Sequence, residues 1–511
     1  MQGYDTLRAH FLLSGFSNGF SIGCQSTPVP SVVKNHGSTN KHPEVVMNKI
    51  LKELNLGRIS KPSPTPQFHN LVVSPLGVVP KKIQGHFRLI HDLSYPEKNS
   101  VNFHIPPENS QVSYDSIDTI ISLVRQFGHA ALMAKCDIED GFRNIPINPS
   151  DYHLLGFKWD NMYYYDKCLP MGASSSCKIF ESLSSALQWI MLNKFSAKGM
   201  SHMIDDFFFI GPSTSSSCLT DLQNFITLCD QIGLPLNPNK TFLPSTNIII
   251  YGIEVDSIAM ECRLPVDKVQ KIESLLSSFS VRKKVTLHEL QSLIGLLNFA
   301  CSVISPGRAF LRRIIDLTCK VSNPKHYIRL TCEARADIQC WFQFISHFNG
   351  KSVFLSDQWS SSDYLTLHTD AATTRGFAGI LGSSWFAAEW PESLRQSNFN
   401  ITVLELFPIV LAMEMWGSHF QNHKLLFLTD NQAVVSIINK SSSKDRTIMR
   451  LVRRLVLICL CNNILFKAKH VPGKHNVIAD KLSRLEFQET LTLAPWLNRH
   501  PVQIPLHLLQ I

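Results

Sequence analysis

The chain has 511 residues, 44% of them hydrophobic and 17% charged, the composition of an ordinary folded protein with room for about three domains. No apolar run reaches the roughly 18 residues that a membrane span needs, and MQGYDTLRAH lacks the basic-then-apolar pattern of a secretory leader; an intracellular protein, in cytoplasm and/or nucleus and not secreted, with no membrane partner, is expected. The formal charge of +9 is modest, and the thirteen cysteines, scattered singly apart from Cys459 and Cys461, read as reduced core thiols rather than disulfides or zinc ligands.

Residues 1–45, rich in Ser, Asn, Gly and His without sustained period, predict a poorly ordered lead-in. A helix is expected from Pro43 to a C′ glycine at Gly57, and KPSPTPQ (61–67) reads as a connector. Strand-like runs follow at 71–82 and 87–93, joined by a hairpin turn at IQGH. Helical spacing returns over 113–128, strand over 131–138, and a long helix over 174–195. HMIDDFFFIG (202–211) reads as strand–turn–strand, and PSTSSSC (212–218) as a loop into a helix. From Thr286 the pattern turns wholly helical up to about Phe348. Thr286 and Glu289 form a capping box, and Leu287, Leu290, Ile294 and Leu297 one apolar face. SDQWSSSD (356–363) reads as a polar linker. Strands then resume at YLTLHTD, with helices near 402–417 and 446–461, which predicts a separate α/β domain. Lys440–Arg484 holds eleven Lys/Arg against Asp445 and Asp480. That is either a solvated face or the footprint of a phosphate-binding surface.

Buried carboxylates are costly unless paired or bound to metal. AKCDIEDGF places Asp137 at the end of an apolar strand, and the next apolar strand pair carries Asp205 and Asp206 at its turn. If the strands pair, three carboxylates meet at one sheet end, where hard divalent cations bind and phosphoryl transfer is possible. Alone, a DD pair is more often an exposed, inert turn. The neighbouring stretches weigh against that. VVPKKIQGHFRLIHDL puts Lys81 and Arg88 on two arms of a hairpin, suited to grip a triphosphate. Phe142 is placed to lie beside a nucleotide sugar, where its ring clashes with a 2′-hydroxyl. LPMGASSS sets Met171 and Gly172 in a glycine turn where backbone can approach a base pair closely. Lys240 offers an acid for a pyrophosphate leaving group.

In this order the motifs resemble the palm and fingers of reverse transcriptases. The resemblance implies Asp137, Asp205 and Asp206 as metal ligands and Lys81, Arg88, Phe142, Met171, Gly172 and Lys240 as dNTP contacts. It makes YGIEVD (251–256) a primer-grip hairpin and 264–330 a thumb. The sequence departs from the family pattern at Met203 (often Tyr), Gly141 (often Ala) and Met171 (often Gln or Phe).

A second acid set follows. Asp370 ends the strand of LTLHTDAATTRGF, Glu405 lies in the first turn of the helix ITVLELFPIVLAMEMW, Asp430 ends a strand and opens a helix, and HVPGKHNVIADKLSR carries His470 and Asp480. Each has an ordinary alternative: Thr402–Glu405 as a capping box, Asp430 as a helix cap, His470 as a strand-end histidine, Asp480 paired with Lys481 or Arg484. Pro408 should kink its helix. Together the four acids match the ribonuclease H pattern of retroelements. The match implies Asp370, Glu405, Asp430 and Asp480 as metal ligands, His470 as a mobile proton or product-release group, and Asn476 as support.

The resemblance spans about Leu71–Arg484 and looks most like DIRS-type retroelements, which carry a tyrosine recombinase; Ty3-like elements are the nearer rival. It implies an α+β multidomain chain, a right-hand polymerase followed by an α/β ribonuclease H-like domain. The expected boundaries are 1–45, 46–260 (fingers and palm), 261–355 (thumb and connection), 364–486 (ribonuclease H-like) and a tail, 487–511. The implied function is copying of retroelement RNA into DNA and degradation of the RNA strand, with two Mg²⁺ per site (Mn²⁺ also suits). The implied partners are RNA template, DNA primer, RNA/DNA hybrid and dNTPs. The alternative is a decayed or domesticated copy that binds hybrid without chemistry. The sequence carries no sign of oligomeric state.

Overall fold

The computed structural model describes residues 3–30, 32–81, 85–319, 321–348, 352–353, 358–391, 400–471 and 476–509. The chain divides into two compact units, Met1–Tyr251 and Gly252–Ile511.

The first unit is built on a four-stranded antiparallel sheet in the order Met200–Met203, Asp206–Gly211, Leu132–Asp137, Phe242–Ser245. In Asp206–Gly211 every residue after the aspartate is buried. A strand enclosed on both faces loses the alternation of a half-exposed one and reads as a continuous apolar run. Helices Ser176–Lys194 and Ser217–Gln231 lie against this sheet. Phe180, Phe207, Phe209 and Phe225 fill the core, each burial contributing about 1.5–3 kcal/mol. The expected hairpin forms from Leu76–Pro80 and Phe87–His91, with Val79 opposite Arg88; part of its turn lies outside the described residues. Helix Pro43–Asn55 ends before Gly57 at φ 67°, and Ile117–Phe127 is capped by Ser116.

The expected disordered lead-in is not found. Thr6–Asn18 is a helix capped by Asp5, whose side chain accepts from Arg8 N. Beyond it, Phe20 exchanges backbone hydrogen bonds with Pro146 and Asn148. Period alone missed the helix because it buries few residues, Leu12 and Gly15 among them, and shows its other apolar side chains to solvent.

The second unit begins with the hairpin Ile253–Asp256 and Glu261–Arg263. Helices Val266–Val281, Leu287–Ala300 and Cys332–Phe348 follow. This part is not wholly helical, since Lys284–Thr286 pairs with Tyr327–Arg329. The Thr286–Glu289 capping box is present, and Arg282 adds an ion pair to Glu289. Further on, Leu367–Ala371, Gly376–Leu381 and Ser384–Glu389 form an antiparallel meander. Lys424–Thr429 runs parallel to Ser360–Ser361 and Leu465–His470. Helix Ile401–Trp416 continues through Pro408, which is buried. By length and composition Ile401–Phe420 is apolar enough to cross a membrane, although Glu405 and Glu414 interrupt its apolar run, but 72% of it is buried inside the unit. Its apolarity serves packing against helix Arg446–Cys461 and the meander. The expected tail is also folded: Phe487–Leu493 is a helix, and Trp385 Nε1 donates to Asn498 O at 2.7 Å.

Candidate active sites

The hairpin at the centre of the first unit turns in two residues. Met203 pairs with Asp206, leaving Ile204 and Asp205 as its loop. Ile204 has φ 56°, a left-handed conformation strongly disfavoured for a β-branched side chain. The turn is tied down from two sides: Ser184 Oγ donates to Ile204 O at 2.7 Å, and Ile138 N donates to Asp205 O at 3.1 Å. Asp206 stands directly opposite Asp137, and opposite residues of an antiparallel pair point to one face.

The charge on these acids is poorly balanced by the protein itself. Burial first, and the neighbouring Asp137 second, push Asp205 up to about 6; the same two causes raise Asp206. Lys240 Nζ sits 2.8 Å from Asp137 Oδ1. Lys135 lies under the sheet end, its Nζ donating to Ile249 O at 2.6 Å and 4.7 Å from the Phe242 ring centre, and burial lowers its pKa.

A cleft of about 990 Å³ opens beside the acids, and Lys81, Arg88, Asp137, Phe142, Met171, Gly172, Asp205 and Lys240 all line it. Asp206, beside Asp137 on the neighbouring strand, is not on its wall. Met171 is exposed, whereas Phe142 is buried against Phe180 with ring centres 5.1 Å apart. A Cβ on Gly172 would stand 2.0 Å from His91 O, so only glycine fits. A Cβ on Gly141 would meet the Phe180 ring at 2.9 Å, which accounts for glycine where alanine was expected.

The structure adds residues that sequence reasoning missed. Lys52 and Arg58 bind Asp140 at 2.9 and 3.3 Å, and Arg143 bridges Glu53 and Asp166 at 3.0 and 2.7 Å. Arg143 and Glu53 are 90 residues apart, and no local period links them.

The second acid set is assembled in the second unit. Burial, reinforced by Asp480 and Asp430 and opposed by a Ser483 hydrogen bond, pushes Asp370 up to about 6. Burial, then Asp370 and Asp430, pushes Glu405 up to about 8. Ser483 Oγ donates to Asp370 Oδ2 at 2.7 Å, and Asn476 Nδ2 donates to Thr369 O at 2.9 Å. Two ordinary alternatives fall away. Asn400 caps the Glu405 helix by accepting from Thr402 N, so Thr402 is not the cap and Glu405 lies beyond the first turn. Asn431, not Asp430, caps the helix Gln432–Lys440. Asp480 does pair with Arg484, at 2.8 Å. His470 Nε2 lies 3.1 Å from Asp430 O.

Among the described residues no group of three or more His, Cys, Asp or Glu side chains is close enough to hold a metal ion as it stands. The donor chemistry nevertheless suits one. Both sets offer hard carboxylate oxygens, the ligands of Mg²⁺ and Mn²⁺, and their raised carboxyls mark negative charge that a cation would balance.

Residues 79–255 match the family described as reverse transcriptase (RNA-dependent DNA polymerase). Polyprotein P3 of Commelina yellow mottle virus is 22% identical over 79% of this chain and 20% of its own length. The Pro-Pol polyprotein of feline foamy virus is 24% identical over 65% and 25%. The chain thus spans a quarter or less of these relatives. Among solved structures, foamy viral protease-reverse transcriptase in complex with double-stranded DNA aligns with TM-score 0.52, at 16% identity over 89% of this chain and 74% of that one. The same protein in complex with RNA/DNA hybrid aligns with TM-score 0.51, at 17% identity over 89% and 57%. The fold is that of the foamy viral protease-reverse transcriptase, multidomain and mixed α and β, and residues 79–255 match the reverse transcriptase family within a chain that is similar to retroviral and pararetroviral polyproteins.

Proposed function

We propose that this chain is an RNA-directed DNA polymerase with a second, ribonuclease H site, the intracellular product of a DIRS-like retroelement. The observation that carries the reading is the meeting of Asp137 and Asp205 with Lys81, Arg88 and Phe142 around one cleft, with Asp206 beside Asp137 on the neighbouring strand. Asp137, Asp205 and Asp206 would hold Mg²⁺, which when bound supplies charge stabilisation for both the attacking and leaving oxygens. Lys81 and Arg88 bind the triphosphate, with Arg88 offering a planar fork to its oxygens. Phe142 closes the space a 2′-hydroxyl needs. Lys240 Nζ holds a proton beside Asp137, within the cleft where pyrophosphate leaves. In the second unit Asp370, Glu405, Asp430 and Asp480 would hold Mg²⁺, and His470 moves a proton at the rim. The basic 440–484 stretch meets the hybrid's phosphates by charge rather than sequence. The complexes formed by the foamy viral protein, with double-stranded DNA and RNA/DNA hybrid, support these partners.

Primer extension on an RNA template with dNTPs and Mg²⁺ tests the polymerase. Extension is expected from the wild type and none from Asp205→Asn/Asp206→Asn. Hybrid cleavage should survive that change and disappear in Asp370→Asn. A wild type that binds hybrid and does neither reaction is the decayed copy instead.

A further inference from the structure

The turn Gly141–Asn144 carries Phe142 and, next to it, Arg143. Arg143 is only 12% exposed and joins three elements. Its Nε is 3.0 Å from Glu53 on helix Pro43–Asn55, its Nη2 is 2.7 Å from Asp166 Oδ1, and its Nη1 donates to Cys168 O at 3.2 Å. The other oxygen of Asp166 meets His91 Nδ1 at 3.0 Å, and His91 belongs to the strand Phe87–His91 that bears Arg88. Glu53, Asp166 and His91 have side chains less than a tenth exposed.

Burial disfavours the charges of such a chain, and the attraction between Arg143 and Asp166 outweighs that cost here, raising the pKa of the one and lowering that of the other. Its product is geometry: a planar guanidinium fixes the directions of its partners in a way apolar contacts do not. What it fixes here lies on the cleft wall. Phe142 packs on Phe180 from one side and is tethered through Arg143 on the other. His91 O presses on Gly172, the other wall of the same cleft.

We propose that Arg143 is a positioning residue that holds Phe142 against the Phe87–His91 strand, so that selection of deoxy- over ribonucleotides depends on the buried Glu53–Arg143–Asp166–His91 chain. The proposal rests on the polymerase reading above. Arg143→Lys keeps the charge and loses the fork. In the full chain it is expected to lower the ratio of kcat/KM for dGTP over GTP by about ten- to a hundredfold, the loss that a displacement near 1 Å brings. That change should come mainly through tighter use of GTP and a raised KM for dGTP, with kcat for dGTP nearly kept. His91→Gln, which cuts the far link, is the second variant and should move the ratio in the same direction by less. In a Phe142→Ala background neither change should alter the ratio further, since the positioned ring is gone. Equal losses of kcat for both nucleotides, with the ratio unchanged in both folded variants, would overturn the proposal. A wild type that extends no primer refutes the polymerase reading instead. The proposal is then decided by equilibrium dialysis of dGTP and GTP: a preference for dGTP that Arg143→Lys reduces supports it, and no such preference or no reduction overturns it.

Discussion

Asp205 shows what a site built for cations does to its own protein. Its carboxyl stands at about 6 in the fold, against 3.8 for an ordinary aspartate, because burial and Asp137 disfavour the charge. The folded state therefore binds this proton more tightly than the unfolded chain does. The resulting stability is fully present below about 4 and is lost as pH rises through about 6. Two pKa units correspond to about 2.7 kcal/mol, and solvent screening at a half-buried turn reduces this to about 1–2 kcal/mol. In EDTA, Asp205→Asn is expected to unfold at higher urea than wild type at pH 7.5, with the difference closing by pH 4. Millimolar Mg²⁺ at pH 7.5 should restore the wild type and leave the variant unmoved. An Asp205→Asn variant equal to wild type at pH 7.5 in EDTA removes the argument that cation chemistry set this site's charge.

The elements differ in how much of themselves the sequence discloses. The capping box at Thr286, the glycine ending helix Pro43–Asn55, and the strands around Asp137 and Asp206 are local: each is written within a few residues and formed where expected. The Arg143 chain, the caps at Asn400 and Asn431, and helix Thr6–Asn18 were not legible. The first depends on partners far apart in sequence, the caps on a choice between adjacent polar residues, and the helix on packing that leaves no amphipathic stripe. Glycines divide in the same way, since their sequence contexts look alike and their surroundings do not. Gly172 faces His91 O at 2.0 Å from its missing Cβ, whereas Gly295, inside helix Leu287–Ala300, has nothing within 4 Å. Gly172→Ala is expected to destabilise the first unit by about 1–3 kcal/mol through overpacking and to raise the dNTP KM. Gly295→Ala should stabilise the second by about 0.5–1 kcal/mol, by better helix propensity. Urea unfolding monitored on both variants checks the opposite signs, and a destabilised Gly295→Ala would show that its helix meets something the structure does not contain.

At the scale of the whole molecule, the sequence suggested a break at the polar stretch 356–363, with a helical part before it and an α/β domain after it. Residues 252–511 belong to one compact unit, and contacts cross that stretch. Asp337, on helix Cys332–Phe348, is 1% exposed and receives Arg453 of helix Arg446–Cys461 at 3.0 Å, with Arg313 at 3.6 Å. Arg453 also lies 5.8 Å from the Phe310 ring centre. Burial pushes Asp337 up to about 6 and Arg453 down, each against the pull of its partner, so desolvation outweighs attraction and the pair is better understood as a lock than as glue. Removing Arg453 leaves the buried Asp337 only its longer contact to Arg313 at 3.6 Å, at a cost of up to about 3–5 kcal/mol. That cost falls on the contact between the two parts and not inside either. In scanning calorimetry of the full chain, Arg453→Met is therefore expected to show one transition more than wild type, because the α/β part then melts separately from the helices before it. Arg453→Met/Asp337→Leu replaces both charges with apolar volume and should restore the wild-type number of transitions. Hybrid cleavage by the single variant should persist below its first transition, since Asp370, Glu405, Asp430 and Asp480 all lie on the α/β side. A single variant that melts with the wild-type number of transitions, merely shifted down, would mean that the packing of helix Arg446–Cys461 against Ser305–Phe310 joins the two parts without help from the lock.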